Sequence, residues 1–186
     1  DTSWAEKMPG VRAIITGSSP EADLPWSYLP GPGSKLFDQR CRFEGDAVAA
    51  VAAETPYQAW DAIKAIKVDY KILPYVSDER KALSDGAALV HGKTNQLLIK
   101  EADERGNVEK GFAEADVIFE GDYEVPKVQQ AHLETHVALS YWDEDDRLVI
   151  RTSTQVPFHA RRILAPVLGL PIKRIRVIKP CIGGGF

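Results

Sequence analysis

Cysteine is nearly absent. Cys41 and Cys181 are the only two in 186 residues. Two thiols cannot staple a chain of this size, which excludes a disulfide scaffold and points to a reducing, cytoplasmic setting. Long hydrophobic runs are missing as well. None approaches the roughly 20 residues that a membrane-spanning helix needs, so no membrane partner is expected. The first residues show no secretory signal pattern, which says nothing of what precedes Asp1 in a longer protein. Acidic side chains are absent from Arg151 onward, where seven basic residues occur. With the net charge at −4, the first 150 residues therefore carry −11. The basic end reads equally as a surface for an anionic partner or as solvated helix and strand faces. It has neither interleaved aromatics nor a nucleic-acid motif, and nucleic acid is not an expected partner.

What is present is ordinary globular sequence: 44% hydrophobic and 27% charged residues exclude a disordered chain. The first half reads as a strand–helix–strand unit. Val11 to Ile15 is a short strand, and Pro20 to Pro32 is a Pro/Gly-rich loop. Ala47 to Ala53 is a small-apolar run, as in a buried strand. Thr55-Pro56-Tyr57-Gln58 has the makings of a helix start, with Thr55 as cap, Pro56 at the first helical position and Gln58 closing a capping box. Ala59, Ala62, Ile63 and Ile66 then form one apolar stripe. Lys67 to Leu73 alternates polar and apolar residues, predicting a second strand. Ser77 to Gly111 is charged and loop-like, with a boundary near Asp103 to Asn107.

The second half is richer in strands. Glu109 to Ala115 predicts one or two helical turns, and Asp116 to Val125 a strand with an irregularity at Gly121. His132 to Trp142 and Leu148 to Thr154 flank the acidic run Asp143 to Asp146, a hairpin signal. That run reads as a solvated turn before a cation site. Pro157 starts a helix that Gly169 ends, with Pro166 expected to kink or shorten it. Ile175 to Lys179 is the last strand.

Four places invite chemistry. His132 and His136 are four apart, but Glu134 is not adjacent to His132 as the zinc-protease motif requires. On a strand the two rings would lie about 13 Å apart, too far to share an ion, so no metal site is expected and a hydrogen-bonded structural role is. Cys181 reads as a small buried cysteine. Gln155, at a strand end before Pro157, offers a neutral carboxamide that can donate to an oxo or phosphate oxygen. Gly183-Gly184-Gly185-Phe186 follows the last strand. Consecutive glycines let a backbone approach a ligand closely. An apolar strand running into such a turn is also an odd chain end, and a piece of a longer protein is expected.

Taken together, these segments resemble the molybdenum-cofactor subunit of the xanthine dehydrogenase/aldehyde oxidase family. Gln130 to His136, Ser153-Thr154-Gln155, Leu168 to Pro171, Arg174 to Val177 and Gly183 to Phe186 match it in order and spacing. Met8 to Val11, Gly45 to Ala49, Val68 to Tyr70 and Leu73-Pro74 resemble its hammerhead α/β domain. Phe112 to Asp116 resembles the entry to its molybdenum domain. Asn107 departs from the pattern, standing where an acidic residue is common. The resemblance implies an α+β chain: a hammerhead-like domain over 1–106 and the opening strands and helix of a molybdopterin-binding domain over 107–186.

By the same resemblance, Gln155 matches a glutamine that hydrogen-bonds an oxygen ligand of molybdenum. Gly184, Gly185 and Phe186 match a loop that cradles the metal end of a pyranopterin, of which a cytosine dinucleotide form is one version. His132, Glu134 and His136 receive no chemistry from it, and no catalytic residue is assigned. The implied activity is hydroxylation of an aldehyde or N-heterocyclic or aromatic small molecule, with water as oxygen source. Its electrons would go to iron–sulfur and FAD subunits or domains. The family's preceding strands, later cofactor segments and glutamate base have no match in these residues. An amino-terminal piece without cofactor or activity of its own is therefore expected. The rival reading is a non-catalytic α/β binding or assembly module.

Overall fold

The computed structural model describes residues 1–24, 35–96 and 105–185. It divides into two compact units: Asp1–Asp69 together with the stretch from Gln130 on, and Tyr70–Gln129. The first unit holds two sheets, and the second has no strand among its described residues.

The first sheet is the antiparallel pair β1 (Val11–Thr16) and β2 (Ala49–Ala53), with an irregularity between Val11 and Ala13. Helix α1 (Pro56–Ala65) follows β2 after two residues. The Thr55 hydroxyl accepts from the Gln58 amide at 3.3 Å, and the Gln58 side chain accepts from the Thr55 amide at 3.1 Å, which completes the expected capping box. Removing the cap in Thr55→Ala is expected to lower unfolding free energy by about 0.5–2 kcal/mol, read from a denaturant midpoint. Helix α1 packs on β2 with Ala62 fully buried. The stripe is narrower than its spacing predicts: Ala59 and Ile66 are half-buried, but Ile63 is 45% exposed. Strand β2 is not buried on both faces either; its residues alternate between half-buried and exposed, as they must in a pair covered from one side.

The predicted strand Lys67 to Leu73 does not form. Lys67 makes one rung, its amide donating to the Asp1 carbonyl at 3.1 Å and its carbonyl accepting from the Asp1 ammonium at 2.7 Å. Beyond it, no described segment lies alongside to satisfy the backbone groups, and an extended chain without a neighbour is not a strand. The predicted strand Asp116 to Val125 fails for the same reason, its apolar side chains Val117, Phe119 and Tyr123 all exposed. In the second unit, helix α2 (Val108–Glu114) is capped by Asn107, whose side chain accepts from the Lys110 amide at 2.8 Å. Its loop is pinned by Asn95, which accepts from the Val90 amide and donates to the Ala82 and Ala88 carbonyls. Of the expected Pro20 to Pro32 loop, Pro20–Asp23 is a 3-10 turn, and residues 25–32 lie outside the described residues.

The second sheet carries the site. Strands β3 (Ala138–Trp142) and β4 (Leu148–Thr152) form the expected hairpin, antiparallel from Ala138↔Thr152 to Trp142↔Leu148. Asp143 closes its turn: one carboxylate oxygen accepts from the amides of Asp145 and Arg147, and the other pairs with the Arg147 side chain at 3.0 Å. These donors, the Arg147 amide foremost, hold the Asp143 carboxyl below its ordinary range. The acidic run is thus a self-satisfied turn.

From β4 the chain enters helix α3 (Pro157–Val167) and returns as β5 (Ile175–Ile178), parallel to β4. A parallel return needs such a crossover. Gly169, at φ +63°, ends the helix: the Leu170 amide reaches back to the Ala165 carbonyl at 3.0 Å and the Gly169 amide to Pro166 at 3.2 Å. Pro166 lies in the last turn, where it forfeits one hydrogen bond and does not interrupt the helix. Ile150, Ala165 and Ile175 form the core between sheet and helix, flanked by Leu148, Leu164, Leu170 and Val177.

Candidate functional site

The parallel pairing of β4 and β5 aligns their carboxyl ends. The segment Ser153-Thr154-Gln155 leaves β4 and the glycine turn leaves β5 on the same side, the edge where open sheets with crossover helices bind ligands. A cleft of about 380 Å³ opens there, lined by His132, Glu134, His136, Gln155, Gly184 and Gly185 among others.

The glycines are needed because side chains already occupy their Cβ positions. A Cβ on Gly183 would lie 2.8 Å from the Cβ of Glu134, and one on Gly184 2.5 Å from the ring Cγ of His132. A Cβ on Gly185 would lie 2.7 Å from Nε2 of Gln155. Gly184 also has φ +154°, a conformation that L side chains rarely adopt. Among the described residues, the amides of Gly184 and Gly185 and the carboxamide of Gln155 make no hydrogen bond. The structure therefore brings Gln155, Gly184 and Gly185 together at one cleft. Phe186, the fourth expected site residue, lies outside the described residues.

The back wall comes from the stretch before β3, and it differs from the strand predicted over His132 to Trp142. Only Ala138–Trp142 is strand; the chain bends at Leu133 and Glu134 after Ala131, which sits at φ +49°. The bend brings the His132 and His136 rings to 5.7 Å between centroids, so the separation of about 13 Å expected for a strand is wrong. Among the described residues, no group of three or more His, Cys, Asp or Glu side chains is placed to hold a metal ion. The hydrogen-bonded role expected of these residues holds for Glu134. One carboxylate oxygen accepts from the Ser153 hydroxyl and the other from the Gly183 amide. These two donors, Ser153 first, hold its carboxyl below the ordinary range, and the charged form is the one that fits here. It does not hold for the two histidines: among the described residues neither ring makes a hydrogen bond, and the Nδ1 of His132 is buried.

Sequence reasoning named these residues but missed that they form a wall of the cleft. Its one available signal was position: Glu134 and Ser153 both lie in the segments that carried the resemblance. Cys181, expected buried, is exposed. It lies beyond the end of β5, where neither sheet nor helix covers it.

Of the basic residues after position 150, Arg161, Lys173 and Arg176 line one further cavity with Arg147. Arg161 donates twice to the Ile172 carbonyl, at 3.0 and 2.8 Å. Arg174 pairs with Asp146 at 2.5 Å and lies 5.2 Å from the centroid of the Trp142 ring. Both guanidiniums brace connections of the second sheet.

Two family models match the chain. One, described as "Molybdopterin cofactor-binding domain", covers residues 90–186. The other, "Aldehyde oxidase and xanthine dehydrogenase, a/b hammerhead domain", covers residues 1–74. The xanthine dehydrogenase molybdenum-binding subunit of Escherichia coli O157:H7 is 32% identical, covering 98% of this chain and 25% of its own length. The nicotinate dehydrogenase large molybdopterin subunit of Eubacterium barkeri is 31% identical, covering all of this chain and 44% of its own length. Among solved structures, quinoline 2-oxidoreductase from Pseudomonas putida 86 superposes over 100% of this chain and 25% of its own, with a TM-score of 0.81 and 27% identity. The chain thus spans between a quarter and a half of the length of these proteins.

Proposed function

Because the chain belongs to the aldehyde oxidase and xanthine dehydrogenase family of molybdopterin-dependent oxidoreductases, we propose that its cleft is one wall of a molybdenum-cofactor site. The observation that carries this is the fit between the glycine turn and the groups facing it. Gly184 and Gly185 line the cleft and leave no room for a Cβ. Oriented amide N–H groups suit an anionic group that has few covalent ties to protein. The unpartnered Nδ1 of His132 is a further polar atom at the same wall. The residues present therefore fit the group.

When bound, the cofactor would supply two-electron oxidation of a small aldehyde, N-heterocycle or aromatic compound, with water as oxygen source. Gln155 would donate a hydrogen bond from Nε2 to an oxygen of the group. The amides of Gly184 and Gly185, with Phe186 beside them, would hold its metal end. No residue of this chain is assigned as the catalytic base, and His132 and His136 hold no metal ion. The cofactor is a molybdenum pyranopterin, of which the cytosine dinucleotide form is one version, with electrons leaving to iron–sulfur and FAD subunits or domains in the cytoplasm. Residues 1–106 serve as scaffold and 107–186 open the cofactor domain. The chain by itself supplies too little of the surface to retain the cofactor or turn over, since ligands of this kind are buried over most of their area.

The test is Gln155→Ala in the whole enzyme. Molybdenum and pterin content should persist while kcat falls by at most about 10²–10³, the usual loss for one preorganised donor. An unchanged rate would remove Gln155 from the site. A whole protein free of molybdenum would favour the assembly-module reading.

A further inference from the structure

We propose that Glu134 is a positioning residue, a clamp that fixes the glycine turn against the end of β4 and so sets the spacing of the cofactor wall. The proposal rests on the reading of the cleft as a cofactor site. Its geometry is specific. One carboxylate oxygen takes the Ser153 hydroxyl and the other the Gly183 amide. Ser153 is two residues before Gln155, and Gly183 is two residues before Gly185. The two oxygens of one side chain thus grip equivalent points on the two segments that face the ligand. A hydrogen bond to an ionised carboxylate is about twice as strong as a neutral one.

The clamp is needed because the turn has little else to hold it. Strand β5 ends at Ile178. Among the described residues, the bond from Gly183 to Glu134 is the one hydrogen bond that ties 181–185 to the rest of the chain. Gly183 must be glycine for the clamp to close, since a Cβ there would lie 2.8 Å from the Cβ of Glu134. Gly184 is in turn seated against His132, two residues before Glu134. The bend at 132–134 therefore supports two successive glycines, one by packing and one by charge.

The experiment compares Glu134→Ala, Glu134→Gln and Ser153→Ala in the whole enzyme. Three quantities are read: hydrogen exchange of the peptide containing Gly183 to Gly185 in cofactor-free protein, molybdenum content after loading, and the thermal midpoint. Glu134→Ala should speed exchange at the glycine turn about tenfold, the effect of losing a hydrogen bond to a charged group, and lower molybdenum content. Exchange in β4 and β5 and the midpoint should hold. Glu134→Gln should rescue most of both effects, because its carbonyl oxygen can accept from Gly183 while its NH₂ donates to the Ser153 hydroxyl. Ser153→Ala should fall between. Unchanged exchange at the turn in Glu134→Ala would overturn the clamp and leave the cofactor reading standing. Faster exchange with full molybdenum content would overturn the positioning role. Equal losses in both Glu134 variants, with a lowered midpoint, would make Glu134 a general stability residue and also overturn it. The cofactor reading fails separately, through a molybdenum-free parental enzyme.

Discussion

Gly184→Ala in the whole enzyme is expected to cut molybdenum content by tenfold or more while the circular dichroism of the protein stays as it was. Two costs act at this position. The backbone sits at φ +154°, and holding a residue with a side chain in a sparsely populated region costs about 1–3 kcal/mol. The new Cβ would also fall within 2.6 Å of the Cβ, Cγ and Cδ2 atoms of His132. Cβ and Cγ are the root of the side chain, and rotation about χ2 leaves both in place. Either His132 leaves its place or the turn changes conformation. Every 1.4 kcal/mol lost from the cradle is tenfold in cofactor binding. Gly185→Ala makes a contrast. Its Cβ would meet the carboxamide end of Gln155, a flexible group that can swing aside. Cofactor should be retained there and the rate should fall. Elemental analysis beside a steady-state assay separates the two variants, and the reverse ranking would mean that the turn has a different conformation in the loaded enzyme.

Ile175→Ala is expected to be the most destabilising truncation in the second sheet, by about 2–5 kcal/mol, the usual range for a buried Ile-to-Ala change. Ile175 is 1% exposed and packs with Ile150 and Ala165 under α3. It also begins β5, whose far end leads into the glycine turn. Loss of the core anchor should therefore loosen the site as well as the fold. Ile63→Ala, which the helical stripe alone would rank with it, should cost much less because the side chain is 45% exposed. Urea denaturation of the two variants side by side tests the ranking. A loss at Ile63 equal to that at Ile175 would mean that α1 is covered by a further part of the whole protein.

Both outcomes depend on features that differ in how far they could be read in advance. Signals that act within a few residues were legible. The capping box at Thr55 and Gln58, the helix stop at Gly169 and the acidic hairpin turn all close with partners two to five positions away. Their free energy is local, so the order of residue types is enough to specify them. The family resemblance was legible for another reason: the spacing of several separate segments is far more specific than any one motif.

What tertiary structure decided was which segments find a neighbour. Lys67 to Leu73 and Asp116 to Val125 alternate as strands do, yet no described segment pairs with them along their length. Alternation reports a preference for extended backbone. It does not report where the other half of each hydrogen bond comes from. The site shows the same division. Gln155 and the glycines could be singled out from sequence, because a carboxamide at a strand end and a run without Cβ atoms are chemistry carried by the residues themselves. The bend at Leu133 and Glu134 could not. It brings the two histidine rings to 5.7 Å and puts Glu134 between Ser153 and Gly183, residues 19 and 49 positions away in the chain. Contacts at that separation exist only once β4 and β5 lie parallel and their ends are side by side. The residue types at the cleft were thus determined by the sequence, and their meeting was determined by the fold.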